Sequence, residues 1–191
     1  VTGTAAPTSA RVSVGAKSPL TGGIKESNAG TAWAHDLAVM QVKALVVEGQ
    51  PKEKGKFWGL YVTWDAAAGQ PKVEFFDATP YAGKDLYKVF PKLYEQFGSK
   101  ISIAGCGVAG EYGYNNAGVV FNDLAKRPSR YSGRGGLGSV LGSRGLKFIV
   151  LKPAGAPGVD IVDKALFDQG RKKMIDALRT HDITKPKGAL N

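Results

Sequence analysis

The sequence contains a single cysteine, Cys106, among 191 residues. One thiol excludes an internal disulfide, and it cannot by itself hold a structural zinc ion or an iron–sulfur cluster. The scarcity of cysteine is typical of a reducing compartment, and we expect a cytoplasmic location.

Long apolar runs are also missing. No stretch approaches the ~20 apolar residues that a membrane-spanning helix needs, and the N-terminus does not resemble a signal peptide, so we expect no membrane partner. The chain begins with Val1-Thr2-Gly3-Thr4 rather than methionine. We interpret this abrupt start as that of a truncated or processed piece.

Glycine and positive charge are in excess. The 26 glycines are roughly twice the usual share of ~7%, and they fall in clusters, which indicates sharp turns or close approaches of the backbone. The net charge of +10 favours anionic partners such as nucleic acid, phosphate-bearing cofactors, acidic protein surfaces or anionic lipid. A solvated basic surface is the alternative reading, because the basic residues are spread along the chain.

The hydrophobic pattern predicts strands and helices in alternation, with strand pairs that look antiparallel. This predicts an α+β fold, a β-rich domain of mostly antiparallel sheets with short helices. The predicted strands cover residues 11–17, 44–48, 57–64, 73–76, 101–104 and 146–152. The predicted helices cover residues 31–42, 85–97 and 163–181, with a further short helix ending near residue 143.

Two polar, glycine-rich stretches carry the candidate chemistry: residues 11–30 (the first segment) and residues 127–138 (the second segment). We interpret both as loops in which backbone N–H groups can surround an oxyanion, assisted by the N-terminus of a following helix. Arginine can hold a phosphate through two parallel hydrogen bonds. The combination indicates a phosphorylated ligand. The alternative is that the glycines only form tight turns and close packing.

Standard nucleotide motifs are not matched. Nothing fits a P-loop, and the pattern Gly133-x-Gly135-x-x-Gly138 lacks the preceding strand and the following acidic residue of a Rossmann site. A basic nucleic-acid surface is a further alternative, in which Arg127, Arg130, Arg134 and Arg144 surround Tyr131. Because no nucleic-acid motif accompanies these residues, we expect no nucleic-acid partner.

Several blocks of sequence resemble the aldehyde:ferredoxin oxidoreductase family. They occur in the family's order and cover most of residues 1 to 152; they are Thr2–Thr8, Lys17–Gly22, Leu45–Gly49, Gly107–Glu111 and Ser129–Lys147. The resemblance implies that residues 1–152 are a tungstopterin-binding N-terminal domain lacking its first strands. Residues 153–191 would be a linker and the start of the following helical region.

The resemblance also implies a set of site residues. Two pterin dithiolenes would bind one tungsten, and a magnesium ion would bridge their phosphates, with the backbone carbonyls of Asn28 and Tyr131 as its protein ligands. The implied cofactor-binding residues are Arg11, Asn28, Ala29, Gly30, Arg130, Tyr131, Gly133 and Arg134. No catalytic side chain is implied in this chain, and His35 and His181 are interpreted as ordinary surface or packing residues.

The function implied by the resemblance is that of a cofactor-binding domain of a tungsten- or molybdenum-containing oxidoreductase. Such an enzyme oxidises small aldehydes to carboxylic acids and passes electrons, through an iron–sulfur cluster in other domains, to ferredoxin or another acceptor. The implied partners are therefore the remaining domains of the parent enzyme, and this chain alone is expected to be inactive. The alternative is a stand-alone carrier of the pterin cofactor or the small subunit of a split redox complex.

Overall fold

The computed structural model describes residues 1–189. The strands are β1 (Arg11–Lys17), β2 (Ile24–Gly30), β3 (Trp58–Asp65), β4 (Gln70–Asp77), β5 (Ser102–Cys106), β6 (Val119–Asn122), β7 (Pro128–Ser132) and β8 (Leu146–Lys152). The α-helices are α1 (Ala32–Val39), α2 (Leu86–Phe97), α3 (Val108–Glu111), α4 (Leu137–Ser143) and α5 (Lys164–Thr180), and a 3-10 turn covers Thr79–Tyr81. Within this part of the chain, no helix has the length and apolar character needed to cross a bilayer.

Six strands form the central sheet in the order β4-β3-β8-β5-β6-β7. Every neighbouring pair is antiparallel except β3 and β8, which run parallel. The predicted hairpin is β3–β4, and its turn is stabilised by Asp65, whose carboxylate accepts hydrogen bonds from the N–H groups of Ala67 and Ala68. The α+β prediction with mostly antiparallel strands is therefore confirmed.

Strands β1 and β2 form a separate two-stranded sheet, in which Arg11 pairs with Gly30 and Lys17 with Ile24. The predicted strand at 11–17 is confirmed, but the interpretation of residues 24–30 as part of a loop was wrong. Burial alternates along this segment as in a strand, since Ser27 and Ala29 are buried and Asn28 between them is exposed. Because the side chains are small or polar, the sequence does not show this alternation as a hydrophobic pattern.

Two hydrophobic clusters lie against the central sheet. Along β8, Ile149 and Leu151 belong to one cluster while Phe148 and Val150 belong to the other, so the strand is covered on both faces. The first cluster includes residues of the β1–β2 hairpin, α1 and α4, and the second includes the buried side of α2. The fold thus has three layers, and the hairpin and α4 lie in the same outer layer.

Side-chain caps define where the longer helices begin. Thr31, Asp85 and Asp163 each accept a hydrogen bond from a first-turn N–H group of α1, α2 and α5. Pro91 lies inside α2, where it removes one backbone hydrogen bond. The helix still forms because Val89, Phe90 and Leu93 are buried in the second cluster.

Other differences from the sequence predictions have physical causes. Residues 44–48 form no strand, since Leu45 and Val47 pack against the first cluster from an irregular segment. Strands β6 and β7 were missed because β6 has four residues and β7 begins at a proline. Residues 153–158, at the start of the region predicted as a linker, have no regular structure and precede α5, which has no buried residue.

Candidate anion-binding site

The fold brings the first and second segments together. The hydroxyl of Ser27 accepts a hydrogen bond from the N–H of Arg134 at 3.1 Å, and the hydroxyl of Ser18 donates one to the carbonyl of Gly135 at 2.6 Å. At the other end of β2, the hydroxyl of Thr31 donates to the carbonyl of Asn122 at 3.1 Å. Strand β2 therefore lies alongside β7, and the two segments that the sequence separates by about a hundred residues form one continuous surface.

Three arginines on this surface have no protein partner in the described part of the chain. The side chains of Arg11, Arg130 and Arg134 are exposed and form no ion pair or side-chain hydrogen bond within residues 1–189. By contrast, Arg127 pairs with Asp123 at 2.9 Å, and the guanidinium of Arg144 donates to the carbonyl of Gly49 at 3.1 Å. Of the four arginines considered for a nucleic-acid surface, two therefore have protein partners, and two, Arg130 and Arg134, have none within residues 1–189. Together with Arg11, these two guanidinium groups are available to an anion.

Arg130 and Tyr131 project from opposite faces of β7. Arg130 pairs with Phe121, which belongs to the hairpin-side cluster, whereas Tyr131 pairs with Val120, which belongs to the α2-side cluster. The phenol of Tyr131 donates to the carbonyl of Pro128 at 3.0 Å. Partial burial, with a smaller contribution from Tyr87, raises the pKa of Tyr131. The bulky ring therefore lies on the face away from Arg130 and does not fill the anion surface.

Asp123 fixes the turn that leads into β7. Its carboxylate accepts hydrogen bonds from the backbone N–H of Arg127 at 2.8 Å, from the guanidinium of Arg127 at 3.0 Å and from the hydroxyl of Ser129 at 2.8 Å. The backbone hydrogen bond from Arg127 is the largest of the influences that lower the pKa of Asp123 to about 2. The ionised carboxylate therefore sets where β7 begins and hence where Arg130 lies.

The space around the backbone changes along residues 133–136 (the glycine loop), from open at the first glycine to crowded at the last two. Space around Gly133 is open, whereas a side chain at Gly135 would meet Ser18 and Lys25, and one at Gly136 would meet the backbone of Asn115. Gly135 and Gly136 have φ of +76° and +70°, a region that favours glycine. Helix α4 follows with only seven residues, so backbone N–H groups and arginines, rather than a helix dipole, are the groups that an anion could contact here.

The remaining candidate residues occupy distinct positions on this surface. Asn28 and Gly30 are exposed, whereas Ala29 is 4% exposed and its methyl group packs in the first cluster. Ala29 could therefore contact a ligand only through its backbone. The hydroxyl of Ser132 is fully buried and has no hydrogen-bond partner within residues 1–189. An unpaired buried hydroxyl is costly, which makes Ser132 a candidate for an additional polar partner.

Sequence reasoning missed four residues that build this surface: Ser18, Ser27, Asp123 and Ser132. Ser18 and Ser27 join segments that are distant in the sequence, Asp123 closes a turn, and the hydroxyl of Ser132 is buried without a partner within residues 1–189. No local motif marks any of them. A strand alternation across residues 24–30 would have placed Ser27 on the inner face. Histidine does not contribute, since His35 and His181 lie in α1 and after α5, outside both segments.

Comparisons with known proteins give a family match and several similar sequences. Residues 1–153 match the family described as aldehyde ferredoxin oxidoreductase, N-terminal domain. The tungsten-containing aldehyde ferredoxin oxidoreductases of Pyrococcus horikoshii and Thermococcus kodakarensis are each 35% identical to this chain over 184 residues. Each match covers 96% of this chain and 28% of the relative, so the chain spans little more than a quarter of their length.

A solved structure has the same fold. The active-site complex of benzoyl coenzyme A reductase, bound to 1,5-dienoyl-CoA, superposes with a TM-score of 0.80 at 24% identity. The superposition covers 93% of this chain and 25% of that chain. At this level of identity the likeness concerns the fold alone.

Proposed function

Because this chain belongs to the aldehyde ferredoxin oxidoreductase family, we propose that residues 1–152 bind the phosphate ends of a bis-pterin cofactor carrying tungsten or molybdenum. The family match covers this region, and the curated relatives are named as tungsten-containing enzymes. Residues 153–191 would lead into the rest of the parent enzyme. The proposal concerns cofactor binding, for which the described residues would supply the groups that contact the phosphates.

The observation that carries the proposal is that Arg11, Arg130 and Arg134 lie on the two segments that the fold brings together and have no carboxylate partner within residues 1–189. Arginines on a protein surface commonly pair with nearby acids, and a group left unpaired beside a glycine loop suits a dianionic phosphate. Open space at Gly133 leaves room for such a group to approach the backbone. The residues present therefore fit the phosphate ends of the cofactor.

Magnesium fits the same surface through oxygen ligands. The proposed protein ligands are the backbone carbonyls of Asn28 in β2 and Tyr131 in β7, two strands that lie side by side. Magnesium prefers hard oxygen ligands and is usually bound together with phosphates and water. Because a carbonyl ligand does not depend on the side chain, the tyrosine at position 131 is compatible with this role, and its ring lies on the other face of β7.

The division of labour in the parent enzyme follows from this placement. When bound, the metal–pterin group would take two electrons from an aldehyde as the aldehyde and water become a carboxylate. Residues of this chain would hold and orient the phosphates, and Ser18 and Ser27 would keep the two binding segments in register. Other domains would supply the iron–sulfur cluster, the substrate pocket and the contact with ferredoxin.

The test is an elemental analysis of the protein purified from a host that makes the metal–pterin cofactor. We expect tungsten or molybdenum with about two phosphates per metal, and we expect a severalfold loss of both in Arg130→Ala and Arg134→Ala. The matched control is Arg179→Ala on α5, which removes the same charge from an exposed site far along the chain. In the full-length parent enzyme, equal metal content in all three variants would contradict the proposal.

The alternative of a stand-alone carrier can be tested in the same experiment. If the 191-residue chain retains the cofactor by itself, its surface suffices for binding and the carrier function is favoured. If only the full-length parent enzyme retains the cofactor, the neighbouring domains are needed to close the site. Either result separates cofactor binding from the catalytic activity of the whole enzyme.

A further inference from the structure

A buried ion pair lies behind the candidate site. Lys147 in β8 is fully buried, and its ammonium group donates to the carbonyl of Cys106 at 2.7 Å and pairs with a carboxylate oxygen of Glu111. The β5–β8 ladder ends at Gly105 and Phe148, so Lys147 and Cys106 lie just beyond its end. The ion pair between Lys147 and Glu111 thus lies at the end of the β5–β8 ladder, where α3 begins.

Glu111 connects this ion pair to a second element. Its other carboxylate oxygen accepts a hydrogen bond from the backbone N–H of Gly83, at 2.6 Å, in the segment before α2. A buried charge is retained only where its hydrogen bonds are satisfied, and removing one partner leaves the other uncompensated. Lys147 and Glu111 together therefore fix α3 against β5, β8 and residue 83.

Helix α3 is in turn pressed directly against α4. A Cβ placed on Gly110 would stand 2.7 Å from the carbonyl oxygen of Gly138, and side chains at Gly138 and Gly142 would overlap backbone atoms of Gly118 and Gly110. Only glycine allows backbones to approach this closely. A shift of α3 would therefore be transmitted to α4, because no flexible side chain separates them.

Helix α4 begins directly after the glycine loop. Its first turn is also held by a hydrogen bond from the N–H of Gly138 to the carbonyl of Ala117, at 2.8 Å. A connected set of contacts therefore leads from Lys147 and Glu111 through α3 and α4 to the backbone of Gly135 and Gly136. These contacts connect the ion pair to the glycine loop in space. The two are energetically coupled only if a change in the ion pair alters the loop, which can be measured.

We propose that Lys147 and Glu111 are positioning residues that set the conformation of the glycine loop for phosphate binding. This inference rests on the proposed function of the loop. The pair touches no proposed ligand and would act through α3 and α4. A purely structural pair would contribute to the stability of the whole fold without a particular effect on the loop.

The test compares Glu111→Gln with Val89→Ala, a change in the second cluster that destabilises the fold without lying on this path. Both proteins are studied at a temperature where each is fully folded by circular dichroism. The probe is inorganic pyrophosphate with Mg²⁺, measured by isothermal titration calorimetry. We expect Glu111→Gln to weaken binding at least fivefold and Val89→Ala to weaken it less than twofold.

A second readout does not depend on any ligand. The backbone amide resonances of Gly133, Gly135 and Gly136 are compared in the ligand-free proteins by NMR. We expect them to move in Glu111→Gln and to move less, but measurably, in Glu111→Asp, which keeps the charge and shortens the side chain. Unchanged glycine-loop resonances in Glu111→Gln, or equal effects of Val89→Ala, would overturn the inference.

The two failures can be told apart. If the wild-type protein does not bind Mg²⁺–pyrophosphate, the proposed function of the loop fails, and the amide resonances alone decide whether the ion pair positions it. If Glu111→Gln does not fold, Glu111→Asp and Lys147→Arg take its place, since both retain an ion pair of altered length. Wild-type loop resonances and affinity in both of these variants would contradict the inference.

Discussion

The hydroxyl of Ser27 accepts a hydrogen bond from the backbone N–H of Arg134 at 3.1 Å, although 107 positions separate the two residues in the sequence. Ser27 is 3% exposed and lies on the inner face of β2, so this contact fixes the distance between the hairpin and the glycine loop. Asn28 follows Ser27 on the outer face. One buried hydroxyl thus sets the relative position of two groups proposed to bind the same cofactor.

Replacing Ser27 by alanine should therefore weaken anion binding. The N–H of Arg134 would lose its partner, and we expect a loss of stability of about 1 kcal/mol, the usual contribution of one hydrogen bond. Because the loop would also be less well fixed, we expect a severalfold loss of Mg²⁺–pyrophosphate affinity by calorimetry. Ser143→Ala is the control, since its hydroxyl donates only to the carbonyl of Val140 on an exposed turn. Equal affinities for the two variants would contradict this role of Ser27.

Glycine should be required at position 138 but not at position 170. A side chain at Gly138 would overlap the backbone of Gly118, whereas nothing lies within 4 Å of a Cβ at Gly170 on α5. We expect Gly138→Ala to lose about 1–3 kcal/mol of stability from overpacking. We expect Gly170→Ala to gain about 0.5–1 kcal/mol, because alanine is the better helix former. Urea unfolding of both variants measures the difference, and a neutral Gly138→Ala would show that α4 can move away from residue 118.

Local patterns predicted much of the fold. The strand at Leu146–Lys152 and the hairpin β3–β4 were predicted because long apolar or alternating runs define them, and the helix at Leu86–Phe97 because its apolar spacing outweighs Pro91. Strand β2 was missed because Ser27 and Asn28 are both polar, although one faces inward and the other outward. Short β6 and β7 take their structure from their neighbours in the sheet, which no local window contains.

The candidate site was predicted only in part. The importance of the two segments followed from their arginines, glycines and family resemblance, and the structure brings those segments together. The bonds that join them depend on residues such as Ser18 and Asp123, whose partners are set by tertiary structure. The face on which Tyr131 lies also required the register of β6 and β7.

Cys106 should react slowly with thiol reagents in the native protein. It is fully buried, and burial raises the pKa of its thiol to about 12, against a smaller opposing influence of Lys147. Since the thiolate is the reactive form, we expect labelling by a disulfide reagent at pH 8 to be slower than in denaturant by a factor of about a hundred or more. Rapid labelling of the folded protein would contradict the buried position at the end of β5.

Asp123 and Asp36 should affect acid stability in opposite directions. The pKa of Asp123 is lowered to about 2, chiefly by the backbone hydrogen bond from Arg127, so its contribution to stability is present above about pH 4 and is lost as the pH falls towards 2. Burial raises the pKa of Asp36 despite its hydrogen bond from Ser102. Protonation of Asp36 therefore favours the folded state.

These opposite pH dependences are tested by measuring the free energy of unfolding of the wild type, Asp123→Asn and Asp36→Asn between pH 6 and pH 2. The advantage of the wild type over Asp123→Asn should shrink as the pH falls below about 4, because the wild-type carboxylate becomes protonated and loses its hydrogen bonds. The wild type should instead gain on Asp36→Asn as the pH falls towards 4, since the cost of burying the charge disappears. A constant difference for Asp123→Asn across this range would show that its carboxylate is not held ionised by the turn before β7.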